Sequence, residues 1–313
     1  MEITTGSMAA LFTEYKSIFL DAVENAPVPA VEPLVQKVPS NALSSHYPVA
    51  GLLGDLEEFE DETAYTNIWE YMQEIVNKLY SRAIGIPVPN IEDNNLGMYP
   101  SLVAELGRIA ATFFYRHVVY QFVSSDGTAL GGQAGGFQTN WVDNLPMFSN
   151  NHVWTGGAAW DNLDFLPLTA TNYNTVKANL RARVNPAGRV MDLMPSLLIC
   201  GPSNELAARM ILNRALIGGG NTNVNENDVS IFVFNQITDL SWFLVALDGG
   251  KPIVWQERVA PQFTAQDRPD DDPAFNREEF RYKVRTRGGL GIIAPWRIQA
   301  VRWDADSSTT TAA

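Results

Sequence analysis

Apolar side chains recur every three or four residues in the stretch that begins near Pro100 and stops at Asp126-Gly127. These apolar positions are Leu102, Leu106, Ile109, Phe113, Val118 and Phe122. Proline suits the first position of a helix, and Asp-Gly suits its end. The pattern predicts one long helix over about residues 100–123 with a single buried face, spanning roughly 35 Å. Gly107 destabilises such a helix by about 1 kcal/mol relative to alanine. Either another element packs too closely there for a side chain, or the glycine has no structural role.

An amphipathic segment at the start of the chain leads into a run of prolines. Apolar residues at helical spacing predict a helix over residues 8–25, and they are Leu11, Tyr15, Ile18, Phe19 and Val23. Residues 26–40, "APVPAVEPLVQKVPS", contain four prolines. Because proline fixes φ and has no backbone N–H to donate, we expect an extended segment that packs as no regular element. Together the two segments predict a short helix on a proline-stiffened arm that reaches across to another surface.

The segment over residues 66–80 fits two different structures. A helical stripe is formed by Ile68, Trp69, Met72, Ile75, Val76, Leu79 and Tyr80. An alternation typical of a strand runs through Tyr80, Arg82, Ile84, Ile86 and Val88. Periodicity alone therefore predicts a helix to about residue 80 and a strand after it.

Strands dominate the second half of the chain, with two helices among them. Residues 127–163 are a long irregular excursion rich in glycine, asparagine and tryptophan. Helices are predicted in "LTATNYNTVKANLRARV" and in "SNELAARMILNRALIG", the latter capped by Ser203 or Asn204 and ended by Gly218. Strands are predicted in "DLMPSLLICGP", "VSIFVFNQI", "SWFLVALD" and "PWRIQAVRWD", and a long antiparallel pair in "KPIVWQERVAPQF" and "FRYKVRTRGGLGII". The sequence has no internal repeat, and the predicted fold class is α+β.

Composition narrows the classes of protein that fit. The 313 residues are 46% hydrophobic, enough for a sizeable core, and the formal net charge is −13. A surface with this negative charge repels nucleic-acid phosphates. The charge is typical of a protein that is simply soluble, or of one that lies close to nucleic acid without adhering to it. No apolar run reaches the roughly 18 residues of a membrane helix, so no membrane partner is expected. The single cysteine, Cys200, lies in a buried-strand pattern and is interpreted as a core thiol.

Residues that could carry out chemistry do not cluster in the sequence. His46, His117 and His152 show no metal-ligand spacing, and we expect His152 to be a hydrogen-bonding loop residue. "GPSNE" lacks the second glycine of a nucleophile elbow, and "GGQAGG" lacks the lysine of a phosphate-binding loop. The acidic run 267–272, "DRPDDD", does not follow an EF-hand pattern and is interpreted as a loop tip. We therefore predict no catalytic residue, cofactor or metal, although a site assembled from distant residues stays open.

Taken in order, several motifs resemble the Mu-like major head subunit family of tailed bacteriophages. The most specific is "IEDNNLGMY" followed by "LGRIAA", and it is preceded by "MAALFTEYKSIFLDAVENAP" and "GLLGDLEEFED". Downstream come Asp126-Gly127, "FSNNHV" with an apolar-x-x-x-His element at His152, "LMPSLLICGPSNELAARMIL" and "RYKVRTRGGLGIIAPWRIQAV". No single motif is diagnostic, but their order over about 300 residues is a specific signal.

The resemblance implies an α+β fold of the Hong Kong 97 phage capsid type. The implied parts are an N-terminal arm over 1–50, an extended loop hairpin over 51–90, a peripheral domain with the long spine helix over 91–190, an axial domain over 191–250, long peripheral strands over 251–295, and a last axial strand and tail over 296–313. The arm and the loop are expected to lie over neighbouring subunits. For residues 66–80 the resemblance implies part of a hairpin, whereas the periodicity predicts a helix. We prefer the hairpin. The long strand pair is expected at about 252–263 and 280–292.

The implied function is that of a major capsid protein, a structural protein of the virion. Such a subunit self-assembles as pentamers and hexamers into an icosahedral shell around double-stranded DNA, which it meets only by non-specific proximity. Further expected partners are a scaffolding protein, a portal and a decoration protein, and assembly is expected in the host cytoplasm. Glu57, Glu58, Arg285 and Arg287 are the candidate inter-subunit contacts, from their places on the predicted loop and sheet. An encapsulin-like compartment shell and a tail-tube or decoration subunit are the alternatives.

Two features found in other shells of this fold are missing from this sequence, and they bear on how the shell is expected to assemble. Some of these shells form a lysine–asparagine cross-link, but no residue pattern around Lys78, in the expected loop, supports it. A non-covalent shell is therefore expected. No long charged helical stretch precedes the arm, so a separate scaffolding protein is expected.

Overall fold

The computed structural model describes residues 2–28, 31–49, 72–123, 140–154, 159–216, 220–268 and 271–303. Its helices are α1 (Thr5–Glu24), α2 (Val88–Glu92), α3 (Tyr99–Val123), α4 (Ala170–Arg181), α5 (Pro202–Leu212) and α6 (Asp272–Arg277). Its strands are β1 (Val35–Pro39), β2 (Ser44–Pro48), β3 (Met72–Val76), β4 (Lys78–Pro87), β5 (His152–Val153), β6 (Ala159–Trp160), β7 (Leu163–Asp164), β8 (Pro195–Cys200), β9 (Ser230–Val233), β10 (Trp242–Ala246), β11 (Ile253–Gln266), β12 (Glu279–Ile292) and β13 (Ile298–Val301). Helices and largely antiparallel sheets in separate layers confirm the α+β class.

A four-stranded sheet in the order β1-β11-β12-β4 contains the longest strands. Its centre is the predicted antiparallel pair, in which Ile253 lies opposite Ile292 and Phe263 lies opposite Val284. The prediction that the proline-rich segment forms no regular element is wrong for β1, which runs parallel to β11. β1 lies at the sheet edge and Pro39 is its last residue, so the missing N–H does not interrupt a central ladder.

The predicted long helix is α3, and it covers one face of this sheet together with α1. The buried residues of α1 are Met8, Leu11, Tyr15, Phe19 and Ala22, and they pack in one cluster with residues of α3 and β12. The Tyr15 ring, for example, meets the Tyr282 ring edge-on at 5.2 Å. In the single chain α1 is therefore part of the core and does not project as an arm. Contact of residues 1–50 with a neighbouring subunit concerns an assembled shell and stays a prediction.

The strands β2 and β3 form an antiparallel hairpin that begins before the predicted loop boundary. The helix predicted to about residue 80 is wrong for its described part, because β3 pairs with β2 and β4 pairs with β12. Pairing with distant strands hydrogen-bonds the backbone and buries Ile75, which outweighs the local helical periodicity. Lys78 begins a strand of the long sheet, opposite Gly288, and so is not in the hairpin. The remainder of that predicted helix, residues 66–71, lies outside the described residues.

A five-stranded sheet in the order β7-β13-β10-β8-β9 lies between α3 on one side and α4 and α5 on the other. Alternate residues of β8 face the two sides: Ile199 packs in the cluster that contains the end of α3, while Leu198 and Cys200 pack with α4 and α5. Burial raises the pKa of the Cys200 thiol to about 11, which confirms a core thiol.

The bounds of α5 differ from the sequence prediction. Gly201 occupies the N-cap and Pro202 the first turn, so Ser203 and Asn204 lie inside the helix. The helix ends at Leu212, several residues before Gly218, because Asn213 already leaves the helical ladder as its C-cap.

Candidate assembly surface

Basic side chains line the outer face of the long sheet. Along β12, Phe280, Tyr282 and Val284 are buried against the helices, so the alternate residues face away from them. These alternate residues are Arg281, Lys283, Arg285 and Arg287, which we call the basic row. Lys283 and Arg285 are exposed, and the two end residues are half-buried. The basic row contrasts with the net charge of −13 of the whole chain.

The neighbouring strands place uncharged residues beside the centre of the basic row. β11 puts Gln262 opposite Arg285 and Thr264 opposite Lys283, and β4 puts Ser81 opposite Arg285. Nε of Arg285 donates to Oε1 of Gln262 at 3.1 Å, which holds the guanidinium on this face. A positive patch therefore extends over the middle of the sheet without a neutralising carboxylate from either adjacent strand.

One member of the basic row is partly neutralised within the chain. Arg281 lies 3.3 Å from a carboxylate oxygen of Glu279. Among the ion pairs of the described residues, none involves the other three members. Within the described residues, Lys283, Arg285 and Arg287 are therefore not neutralised by a carboxylate.

The structure places two of the four predicted contact residues side by side, because Arg285 and Arg287 are alternate residues on one face of β12. Glu57 and Glu58 lie outside the described residues. Sequence reasoning missed Arg281 and Lys283. The alternation of apolar and basic residues in "FRYKVRTR" would have found them, because a half-buried strand turns every second side chain outwards.

The base of the β2–β3 hairpin sits directly on the long sheet. A β carbon added at Gly289 would lie 2.7 Å from the carbonyl oxygen of Val76, so the hairpin backbone touches the β12 backbone there. At the far end of the hairpin, Pro48 is paired with Met72, so both ends of the intervening segment leave the ladder side by side. That segment, residues 50–71, contains seven Asp or Glu residues and no Lys or Arg.

One groove beside the basic row has a lining, among the described residues, without the usual acid–base side chains. A groove of about 430 Å³ between α3 and the β4–β12 pair is lined by Tyr80, Arg82, Phe113 and Arg116, among others, but by no carboxylate, histidine or cysteine. Burial raises the pKa of Tyr80 to about 12, so it does not act as a base near neutral pH. Within the described ranges, no group of three His, Cys, Asp or Glu residues could hold a metal ion. None of the described helices has both the length and the apolar character needed to cross a bilayer.

His152 is a hydrogen-bonding residue, as predicted, but it lies in strand β5 and not in a loop. Its ring is fully buried and stacks on Trp160 with the centroids 4.4 Å apart. Its Nδ1 lies 2.6 Å from Oδ2 of Asp143, and its Nε2 lies 3.3 Å from the carbonyl oxygen of Met147. Both ring nitrogens are occupied inside the protein, so neither is available to an external ligand.

Solved structures define the class of protein that has this fold. The procapsid of bacteriophage JBD30 matches with a TM-score of 0.52 and 21% identity, over 95% of this chain and 75% of that chain. The capsid of the native GTA particle matches with a TM-score of 0.53 and 13% identity, over 88% of this chain and 90% of that chain. At these identities the likeness shows the fold, which is that of the Hong Kong 97-type capsid subunits.

Sequence relatives narrow this class to one family. The chain belongs to the Mu-like prophage major head subunit gpT family, whose model matches residues 8–165, 158–237 and 234–303. It is 24% identical over 290 residues to the Mu-like prophage FluMu major head subunit of Haemophilus influenzae, covering 92% of this chain and 71% of that protein. It is 23% identical over 292 residues to the major capsid protein of Escherichia phage Mu, covering 93% of this chain and 72% of that protein. The family and the fold together make the chain a major capsid protein of a tailed bacteriophage, as the motifs predicted.

Proposed function

We propose that this capsid protein assembles with copies of itself, as pentamers and hexamers, into an icosahedral shell that encloses double-stranded DNA. The observation that carries the proposal is that one chain holds both an exposed basic row and a strongly acidic segment. Opposite charges on different parts of one chain allow each copy to bind the next.

The acidic segment of one copy is proposed to lie on the basic row of a neighbour. Glu57 and Glu58 would pair with Arg285 and Arg287, and the rest of the row would extend the contact. Half of the segment, extended at roughly 3.3 Å per residue, reaches about 35 Å, which is enough to cross a neighbouring domain. One exposed ion pair contributes about 0–1 kcal/mol. The same contact repeated around a closed shell sums to a large stabilisation.

The two sheets suit different places in such a shell. In this proposal the long sheet with α3 is the peripheral domain, and the five-stranded sheet is the axial domain at the five- and six-fold centres. Residues 1–50 would contact a neighbour as well. The net charge of −13 supports a shell that holds DNA without adhering to it.

The remaining partners follow from the same proposal. A separate scaffolding protein and a portal would take part in assembly in the host cytoplasm, and a decoration protein is a further candidate. The shell is proposed to be non-covalent and to have no enzymatic activity. The position of Lys78 within the long sheet supports the non-covalent shell, because its backbone is paired with Gly288 and is not free to reach over a neighbour.

A charge-reversal series tests the proposed contact. The chain, expressed with its scaffolding partner, is examined by electron microscopy and by sedimentation. Arg285→Glu/Arg287→Glu is expected to lower the yield of closed shells at least tenfold. Glu57→Arg/Glu58→Arg is expected to do the same, and the combined charge swap is expected to restore shells.

The matched control is Arg108→Glu, a reversal at an exposed arginine on α3. Shells from the Arg285→Glu/Arg287→Glu variant at the wild-type yield would remove the basic row from the contact. Shells that form but enclose no DNA in infected cells would contradict the proposed role in genome enclosure.

A further inference from the structure

Apolar side chains remain exposed on the outer side of α5. Leu206 is 69% exposed and Met210, one turn later, is 44% exposed, while Ala208 and Leu212 on the other side are fully buried. Two large apolar residues at i and i+4 form one continuous strip of a helix. Exposed apolar strips on a folded domain are typical of contact surfaces.

The chain that follows α5 holds this surface in place. Nδ2 of Asn223 donates to the carbonyl oxygens of Ile211 and Arg214, both at 2.8 Å, and so ties the returning loop to the end of the helix. Val224 is 87% exposed, although Asn223 and Asn225 on either side of it are buried. The loop therefore presents an apolar side chain, Val224, from a backbone that is held at the end of α5.

Another exposed apolar residue, Phe165, lies at one edge of the five-stranded sheet on which α5 packs. Phe165 follows directly after β7 and is 59% exposed. β7 is one edge strand and β9 is the other, while α5 packs on β8 and β9. At a strand spacing of about 4.8 Å, the two edges of a five-stranded sheet lie roughly 19 Å apart.

Phe165 and Leu206 flank the same end of the strands. The last residue of β7 pairs with Val301, Val301 pairs with Trp242, and Trp242 pairs with Cys200. α5 begins directly beyond that end of β8. Phe165 therefore lies at the β7 edge, and α5 lies over the strands nearest the β9 edge, both at the same end of the strands.

We propose that these two surfaces are the halves of one contact between copies of the chain. The outer side of α5, at Leu206 and Met210, packs on the β7 edge of the next copy, at Phe165. Two unlike surfaces near opposite edges of one sheet can form a head-to-tail contact, which closes into a ring when the rotation between copies is a fifth or a sixth of a turn. A ring axis along the strands brings Phe165 of one copy level with Leu206 of the next. This inference rests on the proposed function, because it assigns the ring contact within the shell.

Cysteine cross-linking tests the contact directly, because the native Cys200 is buried and does not react. Shells of Leu206→Cys/Phe165→Cys are treated with a short bismaleimide and run on a denaturing gel. The expected result is a ladder that ends at five and six linked chains. Each single variant is expected to stay monomeric on the gel. Assembled double-variant shells without a ladder would overturn the inference, and so would cross-linking of Leu206→Cys alone, since that would mean α5 against α5.

A second variant tests the inference if the cysteine variants do not assemble. Leu206→Glu/Met210→Glu is expected to keep the melting temperature of the free subunit, because both side chains are exposed, and to lower shell yield at least tenfold. Met98→Glu, at another exposed apolar residue, is the matched control. Normal shells from Leu206→Glu/Met210→Glu would overturn the inference. Absence of shells from the wild-type chain with its scaffold would instead contradict the proposed function itself.

Discussion

A β carbon at Gly107 of α3 would lie 2.7 Å from the carbonyl oxygen of Phe19 and 2.9 Å from Cβ of Ala22, both on α1. No side chain fits between the two helices at this point. Gly107→Ala gains about 1 kcal/mol of helix propensity, but it displaces the α1 backbone, and overpacking costs about 1–3 kcal/mol. The cost less the gain is expected to lower the free energy of unfolding of the free subunit by up to about 2 kcal/mol, measured by urea denaturation.

The control for that variant is Gly97→Ala. A β carbon at Gly97 would meet no atom within 4 Å. Its stability is expected to stay within about 0.5 kcal/mol of wild type. Equal stabilities for the two variants would mean that α1 does not pack tightly on α3.

Removing the buried ring of His152 is expected to destabilise the subunit. Oδ2 of Asp143 would lose its 2.6 Å partner and keep the backbone N–H of Val153 at 3.4 Å, while Oδ1 still accepts from the backbone N–H of Leu145 at 2.9 Å. His152→Ala is expected to lower the free energy of unfolding by about 2–4 kcal/mol. His46→Ala, at an exposed histidine of β2, is the control and is expected to be near neutral. A wild-type melting temperature for His152→Ala would show that the pair contributes nothing to stability.

Arg183 joins segments that are distant in sequence, and its replacement by lysine is expected to separate them. Its guanidinium is buried and donates to the carbonyl oxygens of Asp161 and Trp296 and to the side chain of Gln299. Burial lowers the pKa of Arg183 to about 10, which still leaves it charged near neutral pH. A lysine ammonium cannot satisfy acceptors spread in this way, so Arg183→Lys is expected to lose about 3 kcal/mol of stability.

The exposed Arg181 provides the matched control for Arg183. Arg181→Lys keeps the charge on the same helix end and is expected to leave thermal unfolding unchanged. Equal melting temperatures for Arg181→Lys and Arg183→Lys would contradict a structural role for the buried guanidinium.

Acid is expected to destabilise the subunit through His117 on α3. Burial, with a smaller contribution from the charge of Arg116, lowers the pKa of His117 from 6.5 to about 4. Between these values the unfolded chain binds a proton that the folded chain does not. The free energy of unfolding therefore falls as the pH drops from about 6.5 to about 4, by about 3 kcal/mol in all, and the contribution is fully present above pH 6.5.

The measurement is urea unfolding of wild type and His117→Gln between pH 4 and pH 7. Carboxylates titrate in both proteins, so the difference between the two curves isolates the histidine. The stability of wild type is expected to fall more steeply with acid than that of the variant. His46→Gln provides the control at an exposed position, and parallel curves for wild type and His117→Gln would exclude the mechanism.

The elements that periodicity predicted best are those that bury one face of their own. The spacing of apolar residues located α3, α4 and α5 and the long β11–β12 pair, because each presents one apolar side to the core. The same reasoning failed at residues 72–80. There the partners are β2 and β12, and the free energy of pairing with such distant strands is invisible in local spacing.

The candidate contacts were predictable only in part. Two of the four residues of the basic row followed from their place on a predicted strand, and the alternation of the same strand would have supplied the other two. The α5 surface was not predictable, because a helical pattern with several apolar residues does not tell which of them the sheet covers. Exposure of Leu206 beside burial of Ala208 is decided by how α5 lies on β8 and β9.

The sequence by itself determined the α+β class, the long helix, the strand pair and the family whose motifs appear in order along the chain. These features depend on interactions between residues that are near in sequence, or on the chemistry of each residue. Only the tertiary structure decided that α1 packs on its own α3, that Asp143 meets His152, and that Phe165 and Leu206 flank one end of a sheet. Such relationships depend on strand register and helix packing, whose free energies are sums over contacts between residues far apart in the chain.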